Sequence, residues 1–164
     1  MRNDAKQKKR SRLKLGDVLE VDLDNGMRSY VQYIYKYNEP PHWGTLIRVL
    51  PGEHPSPMTD FAWVDDAAEQ FISFCPVTTY VNHGDMTVVS NRPVPTRFTH
   101  MPLFRAAVRN LSTGKSTWWL WDGKKEIYVG DLNNETINLP IRQLIDFQEL
   151  KIRISTSWTS SQDI

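Results

Sequence analysis

The side chains most able to do chemistry in this sequence are four histidines and one cysteine. The histidines are His42, His54, His83 and His100. Histidines that hold one metal ion from a helix lie three or four residues apart, and no pair here has that spacing. Asn82 to Asp85 could form a metal or catalytic corner, but the same residue types favour a turn, which is the preferred interpretation. Cys75 lies in the apolar run FISFCPV and is predicted to be a small core residue.

Motifs for cofactor binding and covalent catalysis are missing from the sequence. It contains no GxGxxG, no Walker phosphate loop and no GxSxG segment. We therefore expect no catalytic residue, no metal site, no cofactor and no enzymatic activity. An endoribonuclease of the small-barrel toxin class stays open as an alternative, because such chains can begin with a strand like Gly16-Asp17-Val18. Its candidate residues are Arg48, Arg92 and Thr96.

A group of carboxylates beside two aromatic residues is the candidate binding surface. Its members are Asp60, Phe61, Trp63, Asp65, Asp66 and Glu69. An aromatic anchor ringed by carboxylates suits a basic protein partner, since opposite charge speeds and orients docking. A solvated helix face is the alternative for each of these residues.

The elements that position these residues are mostly strands. Alternation of apolar and polar residues over 17–23 and the β-rich run 30–37, joined at Asn25-Gly26, predict a hairpin. Further strands are predicted over 45–50, 77–82 and 87–90, and a three-stranded meander over 104–110, 117–121 and 126–130. Asp65 or Asp66 is predicted to cap a short helix through 67–69, and Asp146 a closing helix over about 146–154. The result is a mainly β (α+β) antiparallel fold, with a strongly curved or small barrel-like sheet and one or two short helices.

Length and composition indicate one globular unit. The 164 residues include 11% aromatic residues and a single cysteine, which excludes a disulfide scaffold and a thiolate zinc finger. Residues 1–14 carry seven Lys or Arg and one Asp; since the whole chain has a formal charge of +1, the remainder is at −5. We expect a disordered basic arm over 1–13, a single domain over 14–158 and a frayed tail over 159–164. Because no apolar stretch reaches about 18 residues, we expect a cytoplasmic protein without membrane contact.

Three segments together resemble the immunity protein 26 family of bacterial polymorphic toxin systems. They are KLGDVLEVDLDNGMRSYVQYIY at 14–35, LIRVL at 46–50 and WWLWDGKKEIYVGDLNNETINLPI at 118–141. The resemblance covers most of 14–155. The positions that match the shared pattern are Gly16, Asp17, Gly26, Trp119, Trp121, Asp122, Gly123, Gly130, Leu139 and Pro140. Their residue types suit turns and core, so they are expected to be structural.

The resemblance implies a small cytoplasmic protein that binds and neutralises a toxin domain by direct contact. A toxin that is a nuclease would carry a basic surface, which the acidic body of this chain would complement. A different class stays open: a small β-barrel that binds nucleic acid, with exposed aromatic residues for stacking and the basic arm for phosphates. Nucleic acid is not expected to bind apart from that arm. The sequence leaves the oligomeric state open.

Overall fold

The computed structural model describes residues 12–164, so nearly all of the predicted basic arm lies outside the described residues. Within this range the chain forms eight strands and two α-helices. The strands are β1 Asp17–Asp22, β2 Arg28–Tyr37, β3 Gly44–Val49, β4 Phe71–Phe74, β5 Met86–Asn91, β6 Phe104–Arg109, β7 Ser116–Trp121 and β8 Glu126–Gly130; the helices are α1 Val77–His83 and α2 Phe147–Ser155.

Two antiparallel sheets make up the architecture, which confirms the mainly β prediction. Strand order is β4-β3-β2-β1-β5 in the larger sheet and β6-β7-β8 in the smaller one. The larger sheet ends at β4 and β5 and is not closed into a barrel. The predicted hairpin around Gly26 and the predicted meander are both confirmed.

Two predicted elements in the middle of the chain are wrong. Residues 77–82 form helix α1 rather than a strand, and a strand instead precedes it at Phe71–Phe74. Val77 is buried, and Tyr80 and Val81 pack partly buried against the core, which is helical spacing that outweighs the β-propensity of the valines and threonines. The predicted helix through 67–69 is replaced by a 3-10 turn at Ala62–Asp65, which ends where that helix was expected to begin.

Strand β2 places apolar side chains on both faces of the larger sheet. On one face, Val31 belongs to the first hydrophobic cluster, which is closed by both helices. On the other face, Ile34 and Tyr37 belong to the second cluster, which includes Phe104 and Trp121 from the smaller sheet. Tyr30 belongs to a third cluster with Phe61. A register irregularity between Tyr33 and Tyr35 lets the strand change which residues face each side.

The C-terminal part of the chain contacts both sheets, with α2 on the larger sheet and the residues after it on the smaller one. Helix α2 begins as predicted, since the Asp146 carboxylate accepts a hydrogen bond from the Glu149 N–H at 2.7 Å. The expectation of a frayed tail over 159–164 does not agree with the structure. Fully buried Arg105 donates to the carbonyl oxygens of Ser160 and Asp163, and Ser160 is buried.

No helix within 12–164 is both long enough and apolar enough to cross a bilayer.

Candidate functional site

The two aromatic residues of the predicted acidic surface point into the protein. Phe61 is 8% exposed and packs in the third cluster, with its ring centroid 5.3 Å from that of Tyr30. Trp63 is half-buried, with its ring 6.3 Å from the same tyrosine. Neither residue is free to act as the exposed anchor that the sequence suggested, because both complete the hydrophobic cluster beneath the 3-10 turn.

Two of the four carboxylates in this group form ion pairs with arginines from the segment after β5. Arg92 donates to Asp65, with a distance of 2.9 Å from Nε to Oδ1, and this hydrogen bond lowers the pKa of Asp65. Arg97 donates to Glu69, which also lies 3.9 Å from the guanidinium of Arg48. Asp60 accepts a hydrogen bond from the Ala62 N–H, while Asp66 is exposed. The acidic group is therefore a mixed-charge network rather than a negative patch.

This network predicts unequal effects of charge reversal. Glu69→Lys is expected to lower the free energy of unfolding by about 1 kcal/mol, because it places a cation beside Arg97 and near buried Arg48. Asp66→Lys is the matched control and should leave stability nearly unchanged. Urea denaturation of the two variants measures the difference. Equal stabilities would contradict the role of Glu69 in the network.

The residues shared with the resembled family lie mostly at turns and packing points. A Cβ atom at Gly16, where φ is +88°, would come within 2.4 Å of the Arg92 carbonyl oxygen. Asp17 accepts hydrogen bonds from the Lys14 N–H and the Asn91 amide, and Asp122 accepts from the backbone of the β7–β8 turn. Gly26, Gly123 and Gly130 have positive φ. Arg105 donates to the carbonyl oxygens of Leu139 and Pro140.

Trp119 departs from its expected core position. Its opposite neighbours in the smaller sheet are Ala106 and Tyr128, so these side chains share one sheet face. The Trp119 and Tyr128 rings meet edge to face with centroids 5.3 Å apart. Tyr128 is 65% exposed, and Val108, two residues beyond Ala106 on the same strand, is 62% exposed. We call Val108, Trp119 and Tyr128 the aromatic face.

A cleft adjoins the aromatic face where the smaller sheet meets the β2–β3 loop. Its volume is about 320 Å³, and its walls include Pro41, Trp43, Trp121 and Arg142. Trp121 lies two residues from Trp119 on β7, so the cleft continues the same sheet face. The Arg142 guanidinium lies 5.3 Å from the Trp121 ring and forms an ion pair with Glu126. An apolar side chain from a partner would find aromatic and aliphatic walls here.

Positive charge lies at one end of this surface. Lys124 and Lys125, in the β7–β8 turn, make no ion pair with any residue in 12–164. Lys115 lies 3.6 Å from Asp131, and both side chains are exposed. The surface therefore combines aromatic area with unpaired cations, a composition suited to an acidic partner.

The endoribonuclease candidates do not converge on an open site. Arg48 is fully buried and donates to the Gln32 side chain and to two carbonyl oxygens, whereas Arg92 is occupied by Asp65. Thr96 begins a 3-10 turn that also contains Arg97.

Burial raises the pKa of the Cys75 thiol to about 12, so its placement agrees with a structural residue.

The sequence carries a signal for the aromatic face. The four consecutive large apolar residues Trp118 to Trp121 are typical of a strand that is apolar on both faces, which lies in a core or faces a partner on one side. The structure divides them: Trp118 and Trp121 are buried, whereas Trp119 and Leu120 are half-buried.

Comparison with known proteins finds no matching family model, no similar curated protein and no similar solved structure.

Proposed function

We propose that the protein is an immunity protein that neutralises a cognate toxin domain by direct contact, using the aromatic face and its adjoining cleft. The observation that carries this proposal is the exposure of Tyr128 and Val108 beside Trp119. A contiguous apolar surface rimmed by polar groups is typical of a binding site. The resemblance of 14–35, 46–50 and 118–141 to immunity proteins supports a toxin as the partner.

Tryptophan and tyrosine side chains bind partners well because they bury large area with few rotatable bonds. Trp119 and Tyr128 contact each other edge to face, which reduces the side-chain entropy that is lost on binding. The cleft beside them would accept one apolar side chain of the toxin. In this arrangement the two rings and the cleft provide most of the affinity.

The charges around the aromatic face favour a toxin with an acidic contact region. Lys124 and Lys125 would steer such a region towards the surface. A basic nuclease was the expectation from the acidic body, but two carboxylates of the predicted patch are neutralised by Arg92 and Arg97. The proposed contact on the toxin is therefore separate from any phosphate-binding surface it carries.

The test is affinity capture from the cells that make the protein, with mass spectrometry of whatever elutes at equimolar amount. Wild-type protein should capture one large protein with a toxic C-terminal domain and should restore growth when that domain is co-expressed. The double variant Trp119→Ala, Tyr128→Ala should lose both properties. Ile127→Ala is the matched control, because Ile127 is also exposed, at 55%, but pairs with Leu120 on the opposite sheet face.

Two outcomes would overturn the proposal. Capture of no stoichiometric protein by wild type would remove the immunity function itself. Capture of the same toxin by the double variant at undiminished affinity would retain the function but move the contact away from the aromatic face. Circular dichroism of the double variant shows whether the fold is intact in either case.

A second candidate function is binding of single-stranded nucleic acid at the same face. Base stacking and phosphate contact require aromatic rings beside cations, which half-buried Trp119, exposed Tyr128, Lys124 and Lys125 supply. The larger sheet is not closed, so the small β-barrel expected for a nucleic-acid-binding protein is not formed. RNA affinity that falls steeply with salt and depends on Trp119 would favour this candidate; affinity that depends only on residues 1–13 would assign it to the arm.

A further inference from the structure

A second cavity lies on the opposite side of the larger sheet from the smaller one, between α1 and the ends of β2 and β3. Its volume is about 330 Å³, which falls in the size range of small-molecule sites. Two cations line it, Arg12 and Lys36, and no carboxylate does. Hydroxyl and amide groups complete the polar lining, from Tyr33, Thr45, Thr78 and Asn82.

The irregularity in β2 creates this lining. Tyr33 and Lys36 are three residues apart and would face opposite sides of a regular strand. The register shift between Tyr33 and Tyr35 allows both to line the cavity, where Lys36 lies opposite Thr45 of β3. Such bulges re-aim side chains and are frequent beside functional sites. The strand therefore departs from regular pairing at the point where a cation and a phenol are brought together.

The polar lining of the cavity combines one buried phenol with exposed side chains, which are those of Arg12, Lys36, Thr78 and Asn82. Tyr33 is 5% exposed, and its hydroxyl makes no hydrogen bond to any residue in 12–164. Leu13 packs against the first hydrophobic cluster, which anchors the backbone next to Arg12. Burial raises the pKa of the Tyr33 phenol, and the negative charge of Asp17 adds to this shift. The Asp17 carboxylate accepts hydrogen bonds from the Lys14 N–H and the Asn91 amide.

We infer that this cavity binds the phosphate group of a small phosphorylated molecule, a property beyond the proposed toxin contact. Two cations balance a phosphate dianion, and the three terminal oxygens of that group accept several hydrogen bonds at once. Arg12 and Lys36 supply the charge, while the hydroxyls of Tyr33, Thr45 and Thr78 supply neutral donors. The cavity has room for more than the phosphate, and Leu13 and Val81 give an apolar wall for the rest of the ligand.

The experiment is isothermal titration calorimetry of the full chain with inorganic phosphate, AMP, adenosine and succinate. Phosphate and AMP are expected to bind saturably, with AMP tighter, whereas adenosine and succinate should not bind. Lys36→Gln and, separately, Thr78→Val should each weaken AMP binding, the former at least tenfold. Both residues lie at the surface of the fold, and thermal denaturation in the absence of ligand verifies that the variants are folded.

Lys115→Gln is the matched control. It removes one positive charge, as Lys36→Gln does, from an exposed lysine that does not line the cavity, and it should leave AMP affinity within twofold of wild type. The inference is overturned if AMP and phosphate show no saturable binding at concentrations up to about 10 mM. It is equally overturned if Lys115→Gln loses AMP binding while Lys36→Gln retains it, or if succinate binds as well as phosphate.

Discussion

Replacing Trp121 with alanine is expected to lower the free energy of unfolding by about 3 to 5 kcal/mol. The side chain is 5% exposed, and its ring centroid lies 5.2 Å from that of Tyr37 and 5.7 Å from that of Phe104. The contact with Tyr37 of β2 joins the smaller sheet to the larger one. Removing the indole leaves a cavity between two rigid layers that cannot collapse onto it.

Trp119→Ala is the matched control for this prediction, because it removes the same side chain two residues away on the same strand. Its half-exposed position on the aromatic face predicts a cost well below that of Trp121→Ala. Urea unfolding followed by circular dichroism compares the two. Similar losses in both variants would contradict the assignment of one tryptophan to the core and the other to the binding surface.

Arg48→Met is the second substitution expected to be severe, with a loss of about 3 to 5 kcal/mol, because three acceptors inside the fold lose their donor at once. The guanidinium donates to the Gln32 side-chain oxygen at 2.7 Å, to the Val64 carbonyl at 2.6 Å and to the Ala67 carbonyl at 2.9 Å. Burial lowers the pKa of Arg48, and Glu69 opposes that shift. Methionine fills much of the volume but leaves all three acceptors without a donor.

The control for this prediction is Arg97→Met, since Arg97 contacts the same Glu69 from an exposed position. It should cost far less, because solvent replaces the lost interaction. Chemical denaturation again gives the comparison. If Arg48→Met were within about 1 kcal/mol of wild type, water entry or a shift of segment 64–67 would have to satisfy the three acceptors.

Local signals explain the parts of the fold that the sequence predicted well. The β1–β2 hairpin is encoded by alternation and by Asn25-Gly26 within one short stretch, and α2 by Asp146 three residues before Glu149. Helix α1 was missed because its β-branched residues favour a strand locally. The decisive interactions are distant: the Tyr80 hydroxyl accepts from the Phe147 N–H at 2.9 Å, 67 residues further along the chain.

The same limit applies to the candidate site. Asp65 and Glu69 appeared as free acidic residues because their partners, Arg92 and Arg97, follow 27 and 28 residues later. Nothing in the local pattern shows that a loop and a 3-10 turn meet. Trp119 could be placed on a strand from sequence, but its exposure depends on how far the smaller sheet extends beyond the larger one. Tertiary geometry decides that distance.

Strand β2 also has a consequence for how the protein melts. Val31, Ile34 and Tyr30 each belong to a different hydrophobic cluster. When β2 unfolds, all three clusters therefore lose a buried side chain at the same time. Heat should therefore unfold both sheets in a single cooperative transition, with calorimetric and van't Hoff enthalpies in agreement. The slowest amide protons to exchange with deuterium should belong to β2 and its neighbours.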